Sequence, residues 1–308
     1  MSEHSYIAGI PLVLGGNVFG WTAKGDGAFA VLDAFYEAGG RMIDTADVYS
    51  AWVPGHEGGE SEAVIGEWME SRSVRNDMRI HTKTGMLGGA ELYEPARVLH
   101  SLDASLERLR SDTIDLYYAH KDYPELEIGQ IVEAFDGAVQ SGKVIALGAS
   151  NFDAARLGAA LDAANATGAT PFTALQNEYN LVNREAYGPD LQALAQSRGI
   201  AMLPFFGLAS GYLTGKYRTE EDFAKSMRGG RAQQLAGGKG PQVLEVMDAV
   251  ATETGASLSA IALAWLVRQP GIPAPIASAR TVDQLNELLE FTQVELSDDQ
   301  LARLTAAA

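Results

Sequence analysis

The chain has 308 residues, a formal charge of −17 at neutral pH and no cysteine. That charge argues against partnership with nucleic acid or anionic membrane surfaces, which reward basic patches. The missing cysteines rule out a disulfide scaffold and a thiol nucleophile. An apolar fraction of 46% with 20% charged residues is ordinary for a globular enzyme with a large core.

The N-terminal stretch lacks the basic region and apolar length of a signal peptide. No run approaches the ~18 apolar residues of a membrane span. A cytoplasmic protein is therefore expected. A monomer is the default expectation, because no heptad or large apolar stripe stands out.

Short apolar runs alternate with longer amphipathic ones. Strands are predicted at Leu12–Leu14, Arg41–Asp44, Met78–Thr82, Ile114–His120, Val144–Ala149, Ala174–Gln176, Ile200–Leu203 and Ala274–Ile276. Helices are predicted at Ala28–Ala38, Ser61–Arg72, Pro95–Leu109, Ile131–Ser141, Ala154–Ala166, Pro189–Arg198, Leu258–Arg268 and Val282–Glu290. Gly39, Gly142 and Gly199 each close a helical stretch and precede a strand. Several strands are continuous apolar runs, as strands covered on both faces should be. Eight strands each followed by a helix predict an α/β fold, a single (β/α)8 TIM barrel over residues 1–308. One stretch breaks the cadence. Met227–Pro241 holds five glycines with Arg228, Arg231 and Lys239, and is expected to be a long mobile loop after the seventh strand.

Chemistry in such a barrel sits at the carboxyl ends of the strands. The polar residues expected there are Asp44, Lys83, His120, Ser150, Asn151 and Gln176, with Tyr49 in the loop above Asp44. Taken singly, Asp44 could cap a loop, Tyr49 could be a packed aromatic and His120 could be structural. Lys83 is harder to dismiss, because an unpaired inward lysine is costly. The remaining histidines show no ligand spacing, so no metal is expected.

Four segments resemble the aldo-keto reductases: Ile43-Asp44-Thr45-Ala46-Asp47-Val48-Tyr49, Thr82-Lys83, Asp115-Leu116-Tyr117-Tyr118-Ala119-His120 and Gly148-Ala149-Ser150-Asn151-Phe152. Their order and spacing carry the resemblance from about Gly15 to Leu288. It implies a catalytic tetrad of Asp44, Tyr49, Lys83 and His120, with Tyr49 as general acid. A free tyrosine, with a pKa of about 10, is a poor acid at neutral pH. Lys83 is expected to lower that pKa, Asp44 to hold Lys83 charged, and His120 to orient the carbonyl.

The resemblance also implies NADPH (NADP+), with NADH accepted at lower affinity. Ser150, Asn151 and Gln176 match residues that bond the nicotinamide amide, and Phe205 one that stacks on the ring. Gly16 and Asn17 match the loop after the first strand. Leu208, Ser210, Gly211 and Lys216 match the pyrophosphate segment. Ser278, Arg280 and Gln284 match the 2′-phosphate region, with Arg280 at the start of the last helix. Against these stand plainer readings, a flexible loop with a solvated Lys216 and a helix-capping surface Arg280. Leu288 departs from the family's asparagine near the adenine, and Phe206 stands where a small polar residue is usual. Gly25-Asp26-Gly27-Ala28-Phe29-Ala30 fits a loose dinucleotide pattern but lacks a strand immediately before it.

Trp21, Trp52, Phe152, Phe206 and Tyr212 are expected to rim the mouth and to suit an apolar or aromatic aldehyde or ketone. The competing readings are a nucleotide-sensing binding module of the same fold, and an unrelated barrel enzyme that binds no nicotinamide.

Overall fold

The computed structural model describes residues 4–224 and 229–308. Its eight strands are β1 (Val13–Gly15), β2 (Met42–Asp44), β3 (Arg79–Thr84), β4 (Ile114–Ala119), β5 (Val144–Ser150), β6 (Phe172–Gln176), β7 (Ala201–Met202) and β8 (Ile276–Ala277). All neighbouring pairs are parallel, in the order β7-β6-β5-β4-β3-β2-β1-β8. Individual backbone bonds close the gap between β7 and β8: Met202 N–H donates to Gly271 O and Ile276 N–H to Pro204 O, at 2.9 and 2.8 Å. The result is a (β/α)8 barrel.

The connecting helices are α1 (Gly25–Glu37), α2 (Glu60–Arg72), α3 (Pro95–Leu109), α4 (Ile128–Gln140), α5 (Ala154–Thr167) and α6 (Pro189–Ser197). After β7 come α7 (Glu220–Ala224), α8 (Gly229–Ala236), α9 (Gly240–Thr254) and α10 (Leu258–Val267), and after β8 come α11 (Val282–Leu289) and α12 (Asp298–Ala306). Local chemistry fixes their ends. Pro95 opens α3, where its missing N–H costs nothing. Glu127 and Gln130 form a reciprocal capping box on α4. Asp153 caps α5 and Gly168 closes it in the left-handed region. Buried residues of α10 lie on every side, as suits a core helix. No single helix among the described residues is long and apolar enough to cross a membrane; α9 and α10 pass such a test only as a pair bent by 97°.

Three sequence expectations need correction. The glycine-rich stretch is mostly helical where it is described: α8 covers Gly229–Ala236, a turn spans residues 237–239 and α9 begins at Gly240. Met227 and Arg228 lie outside the described residues. Glycine composition masked the apolar positions Ala232, Val243, Leu244, Met247 and Val250, all of which are buried. The second correction is α12, which follows α11, so Arg280 does not open the last helix. Only Leu304 of α12 is buried, which leaves little periodicity to read. Third, α9 itself was absent from the predicted set.

Strand alternation divides the core in two. One set, including Val13, Met42, Leu116, Tyr118, Ala174, Leu203 and Ile276, fills the barrel interior, with Tyr6 beside it. The other, larger set packs between barrel and helices. Stepping two residues along each strand from the interior set leads to Gly15, Asp44, His120, Gln176 and Ser278 at the carboxyl ends.

Candidate active site

Lys83 ends the inward row of β3 with no exposed surface. Its ammonium donates to Asp44 Oδ2 at 2.7 Å, to the Thr45 carbonyl at 2.7 Å and to Tyr49 Oη at 3.2 Å. Those three acceptors match its three protons, which is what a buried ammonium requires. The other oxygen of Asp44 accepts from Gln176 Nε2 at 2.8 Å. Asp44 is thus held from two strands. Because Lys83 occupies a lone pair of the Tyr49 oxygen, the phenolic hydrogen remains free to donate elsewhere. The His120 ring lies 6.0 Å from the Tyr49 ring at 71°, and its Nδ1 has no hydrogen-bond partner among the described residues.

The electrostatics separate the roles these groups can take. Burial pulls the Lys83 ammonium down, but Asp44 and Tyr49 more than offset it, and its pKa stands above the ordinary lysine value. Burial and then Lys83 push His120 well below the usual histidine range, so its imidazole is neutral. For Tyr49 the expected direction is reversed. Lys83 does pull its pKa down, but burial outweighs that pull, Asp44 and Asp47 add to the burial effect, and the hydroxyl stands above its ordinary value. The group is therefore fully protonated at neutral pH.

A second buried network braces β3 from behind. Glu62 of α2 accepts from Thr82 Oγ1 at 2.6 Å and from Arg108 at 2.7 Å. Thr84 Oγ1 donates to Asp47 Oδ2 at 2.6 Å, while Asp47 Oδ1 has no hydrogen-bond partner among the described residues. Sequence reading missed these residues; the available signal was an acidic residue, Glu62, on a face that also carries Ile65 and Met69.

Burial pushes Asp47 up to about 7, and the nearby Glu62 adds to it against the opposing effects of Thr84 and Arg108. A raised carboxyl pKa means the folded state binds the proton more tightly than the unfolded one. Its stabilising contribution is complete below the unfolded value near ~4 and is lost as pH rises through about 7. Asp47→Asn should remove this dependence. In chemical denaturation the variant should gain on the wild type between pH 5 and pH 8 by ~3 kcal/mol, because about two pH units of that window lie below the folded pKa and each contributes ~1.4 kcal/mol. A difference between the two proteins that is the same at both pH values would rule out Asp47 as the titrating group.

The residues expected at a nucleotide lie along one arc of the carboxyl rim. Gly16 has no room for a side chain: a Cβ there would lie 2.8 Å from Ser61 Oγ and 2.9 Å from the Asp44 carbonyl. Ser278 Oγ donates to Asn17 Oδ1 at 2.7 Å, tying the end of β8 to the loop after β1. Ser150 Oγ donates to the Gln176 carbonyl at 2.9 Å. Asn151, at a φ of 60°, donates through Nδ2 to the His120 carbonyl at 3.0 Å. Phe205 is half-buried, edge-on to Phe206 at 5.1 Å. From Leu208 onward the chain takes three successive positive φ values, 49° at Ala209, 58° at Ser210 and 90° at Gly211. Two of these are not glycine, so the turn is strained, as functional turns often are. The Lys216 amine lies above it, 2.9 Å from where a Gly211 Cβ would sit.

Arg280 is exposed, and its guanidinium makes no ion pair or hydrogen bond among the described residues. Its backbone N–H donates to Gln284 Oε1 at 2.9 Å, just before the Thr281-capped start of α11. Leu288 is buried in the core. The loose glycine pattern at Gly25 opens α1, separated from β1 by a 3-10 turn at Gly16–Val18.

The aromatic rim is only partly where it was expected. Trp52 is 48% exposed, edge-on to both Trp21 and Tyr49 at 5.7 Å. Phe206 is half-buried beneath the Arg231 guanidinium, 4.6 Å from its ring centroid. Arg231 also donates to both carboxylate oxygens of Glu178 at 2.5 Å, which pins α8 to the end of β6. Phe152 and Tyr212 do not line the mouth. Phe152 is 1% exposed and packs on Phe172 between barrel and helices, because the left-handed turn at Asn151 redirects the chain. Tyr212 is equally buried, under the start of α9, where a Cβ on Gly240 would lie 2.6 Å from its hydroxyl.

Comparison with known proteins fits this geometry. A model of the aldo/keto reductase family matches residues 11–308. The chain belongs to that family. It is 33% identical over 323 residues to norsolorinic acid reductase stcV of Emericella nidulans, covering 96% of this chain and 78% of that one. It is 32% identical over 302 residues to an aryl-alcohol dehydrogenase [NADP(+)] of Phanerodontia chrysosporium, covering 91% and 75%. The fold matches the crystal structure of the thermostable aldo-keto reductase Tm1743 with a TM-score of 0.77, at 23% identity over 97% of this chain and 95% of that one. Membership of the family, with relatives of these names, makes the protein an oxidoreductase that interconverts carbonyls and alcohols.

Proposed function

We propose that this protein is an NADPH-dependent reductase of apolar aldehydes and ketones, with Tyr49 as the general acid. The observation that carries this reading is the triple contact of the Lys83 ammonium, which leaves the Tyr49 proton free beside a neutral His120.

The residues present fit the cofactor. Arg280 is an unpaired guanidinium beside a helix start, the setting in which a phosphate is favoured. Lys216 over the left-handed turn supplies charge for a pyrophosphate, and Gly211 permits close backbone approach. Ser150, Asn151 and Gln176 would face the carboxamide, Phe205 would stack on the ring, and Gly16, Asn17, Ser278 and Gln284 would shape the groove. Bound NADPH would supply a hydride to the carbonyl carbon.

The chain's own residues then handle the oxygen. Negative charge developing there is met by the Tyr49 proton, and the alcohol forms as that proton transfers. Lys83 stabilises the phenolate left behind, and Asp44, itself held by Gln176, keeps Lys83 charged and oriented. Neutral His120 orients the carbonyl rather than acting as a second acid.

Arg280→Ala tests the cofactor choice. A hydrogen bond to a charged group contributes about 1.5–3 kcal/mol, so the dissociation constant for NADPH should rise by ~10- to 100-fold. That for NADH should change little. Equal losses for both cofactors in a fluorescence titration would mean that Arg280 does not read the 2′-phosphate.

A further inference from the structure

Exposed large hydrophobic side chains are few among the described residues. They are Trp52, Met86, Leu87 and Ile145, at 48%, 46%, 44% and 52% exposure. Ile145 lies near the start of β5, at the opposite end of the barrel from the site. The other three sit in two neighbouring loops at the carboxyl rim: Trp52 in the loop after β2, Met86 and Leu87 in the loop after β3. Leaving three such side chains in water on one rim calls for an explanation.

The loop that carries Met86 and Leu87 is anchored at Gly85. The hydroxyl of Tyr123 donates to the Gly85 carbonyl at 2.5 Å. Buried Tyr93 lies under the same residue, so close that a Gly85 Cβ would fall 2.4 Å from its ring. Tyr93 is fixed in turn by its bond to the Lys121 carbonyl at 2.7 Å. Leu87 reaches across to the loop after β2, with Cδ1 3.1 Å from where a Gly58 Cβ would sit. The two loops therefore form one continuous rim. The edge-on series Tyr49–Trp52–Trp21 runs from the reacting tyrosine onto it.

We infer that Trp52, Met86 and Leu87 form a distal subsite for the second ring of an extended, uncharged aryl aldehyde or ketone. This rests on the reductase reading, since it is continuity with Tyr49 that selects a substrate's far end as the occupant. Charge narrows the class. The loops after β2 and β3 carry the exposed carboxylates Glu57, Glu91 and Glu94, with no lysine or arginine. A tail bearing a carboxylate would meet like charge and lose its hydration on an apolar wall.

The test compares benzaldehyde, biphenyl-4-carbaldehyde and 4′-formylbiphenyl-4-carboxylate with the wild type and with Met86→Ser/Leu87→Ser. The wild type should prefer the biphenyl aldehyde to benzaldehyde by about tenfold or more in kcat/KM, from the apolar area the second ring buries. The carboxylated analogue should lose most of that preference. The double variant should turn over benzaldehyde as the wild type does and show a biphenyl preference reduced to about threefold or less. A preference that survives the double substitution, or an equal loss for both neutral aldehydes, would overturn the subsite.

Binding of 4-phenylbenzamide, read by tryptophan fluorescence, keeps the two ideas separable. Should neither aldehyde react with the wild type, the reductase reading fails. Amide binding that is then weakened by the double substitution would still support the subsite, and amide binding unaffected by it would overturn the subsite as well.

Discussion

Tyr49→Phe is expected to lower kcat by about two to four orders of magnitude, the usual worth of a positioned general acid. The loss should be confined to the chemical step. The substitution removes one oxygen and keeps the ring that packs edge-on to Trp52 and His120. Lys83 keeps two of its three acceptors, Asp44 and the Thr45 carbonyl, so the ammonium stays paired. Affinity for NADPH should therefore change by less than about threefold, because an interaction made only in the transition state leaves ground-state binding alone. Steady-state kinetics beside a direct cofactor titration read the two effects separately. A variant that keeps kcat within tenfold of the wild type would remove Tyr49 as the acid.

The second large effect is on stability. Lys83 and Asp44 are an almost fully buried ion pair, at 0% and 3% side-chain exposure. Breaking such a pair from one side leaves an uncompensated charge and costs about 3–5 kcal/mol, whereas removing both charges is often close to neutral. Lys83→Met and Asp44→Asn should each destabilise by about that amount. The double variant should be more stable than either single one. Asparagine suits the second position because its carbonyl can still accept from Gln176. All three variants should be inactive, since each removes either the Lys83 charge that stabilises the Tyr49 phenolate or the carboxylate that keeps Lys83 charged and oriented. Denaturant titration measures the coupling. Additive losses in the double variant would mean that the pair is not the energetic unit its geometry describes.

How much of this was legible in the sequence depends on the kind of signal. The strands were readable as short apolar runs, because a parallel strand is covered on both faces. Period-two alternation then brings Asp44, Lys83, His120 and Gln176 to one end of one interior. Helices with sharp ends were readable for the same local reasons that cap them: Pro95 at the start of α3 is a signal in sequence and a fact in structure. Where composition concealed periodicity, reading failed, as in α8 and α9 among their glycines.

The site shows a second limit. Residue identity located Gln176 at a strand end but could not show that its amide holds Asp44, a contact across 132 positions of chain. Nor could it foresee that burial would outweigh Lys83 at Tyr49, because the sign of that shift is a sum over the surroundings. Phe152 and Tyr212 failed for a related reason. A loop aromatic can face the mouth or the helix layer, and a single left-handed residue such as Asn151 decides which.

The most direct test of the central claim is a titration of the purified protein with NADPH and NADH by intrinsic fluorescence, followed by addition of an aromatic aldehyde while the absorbance of the reduced cofactor is recorded. Tight NADPH binding, weaker NADH binding and loss of absorbance with alcohol formation is the predicted result. Failure to bind either cofactor, or tight binding without turnover across a panel of apolar aldehydes and ketones, would contradict it.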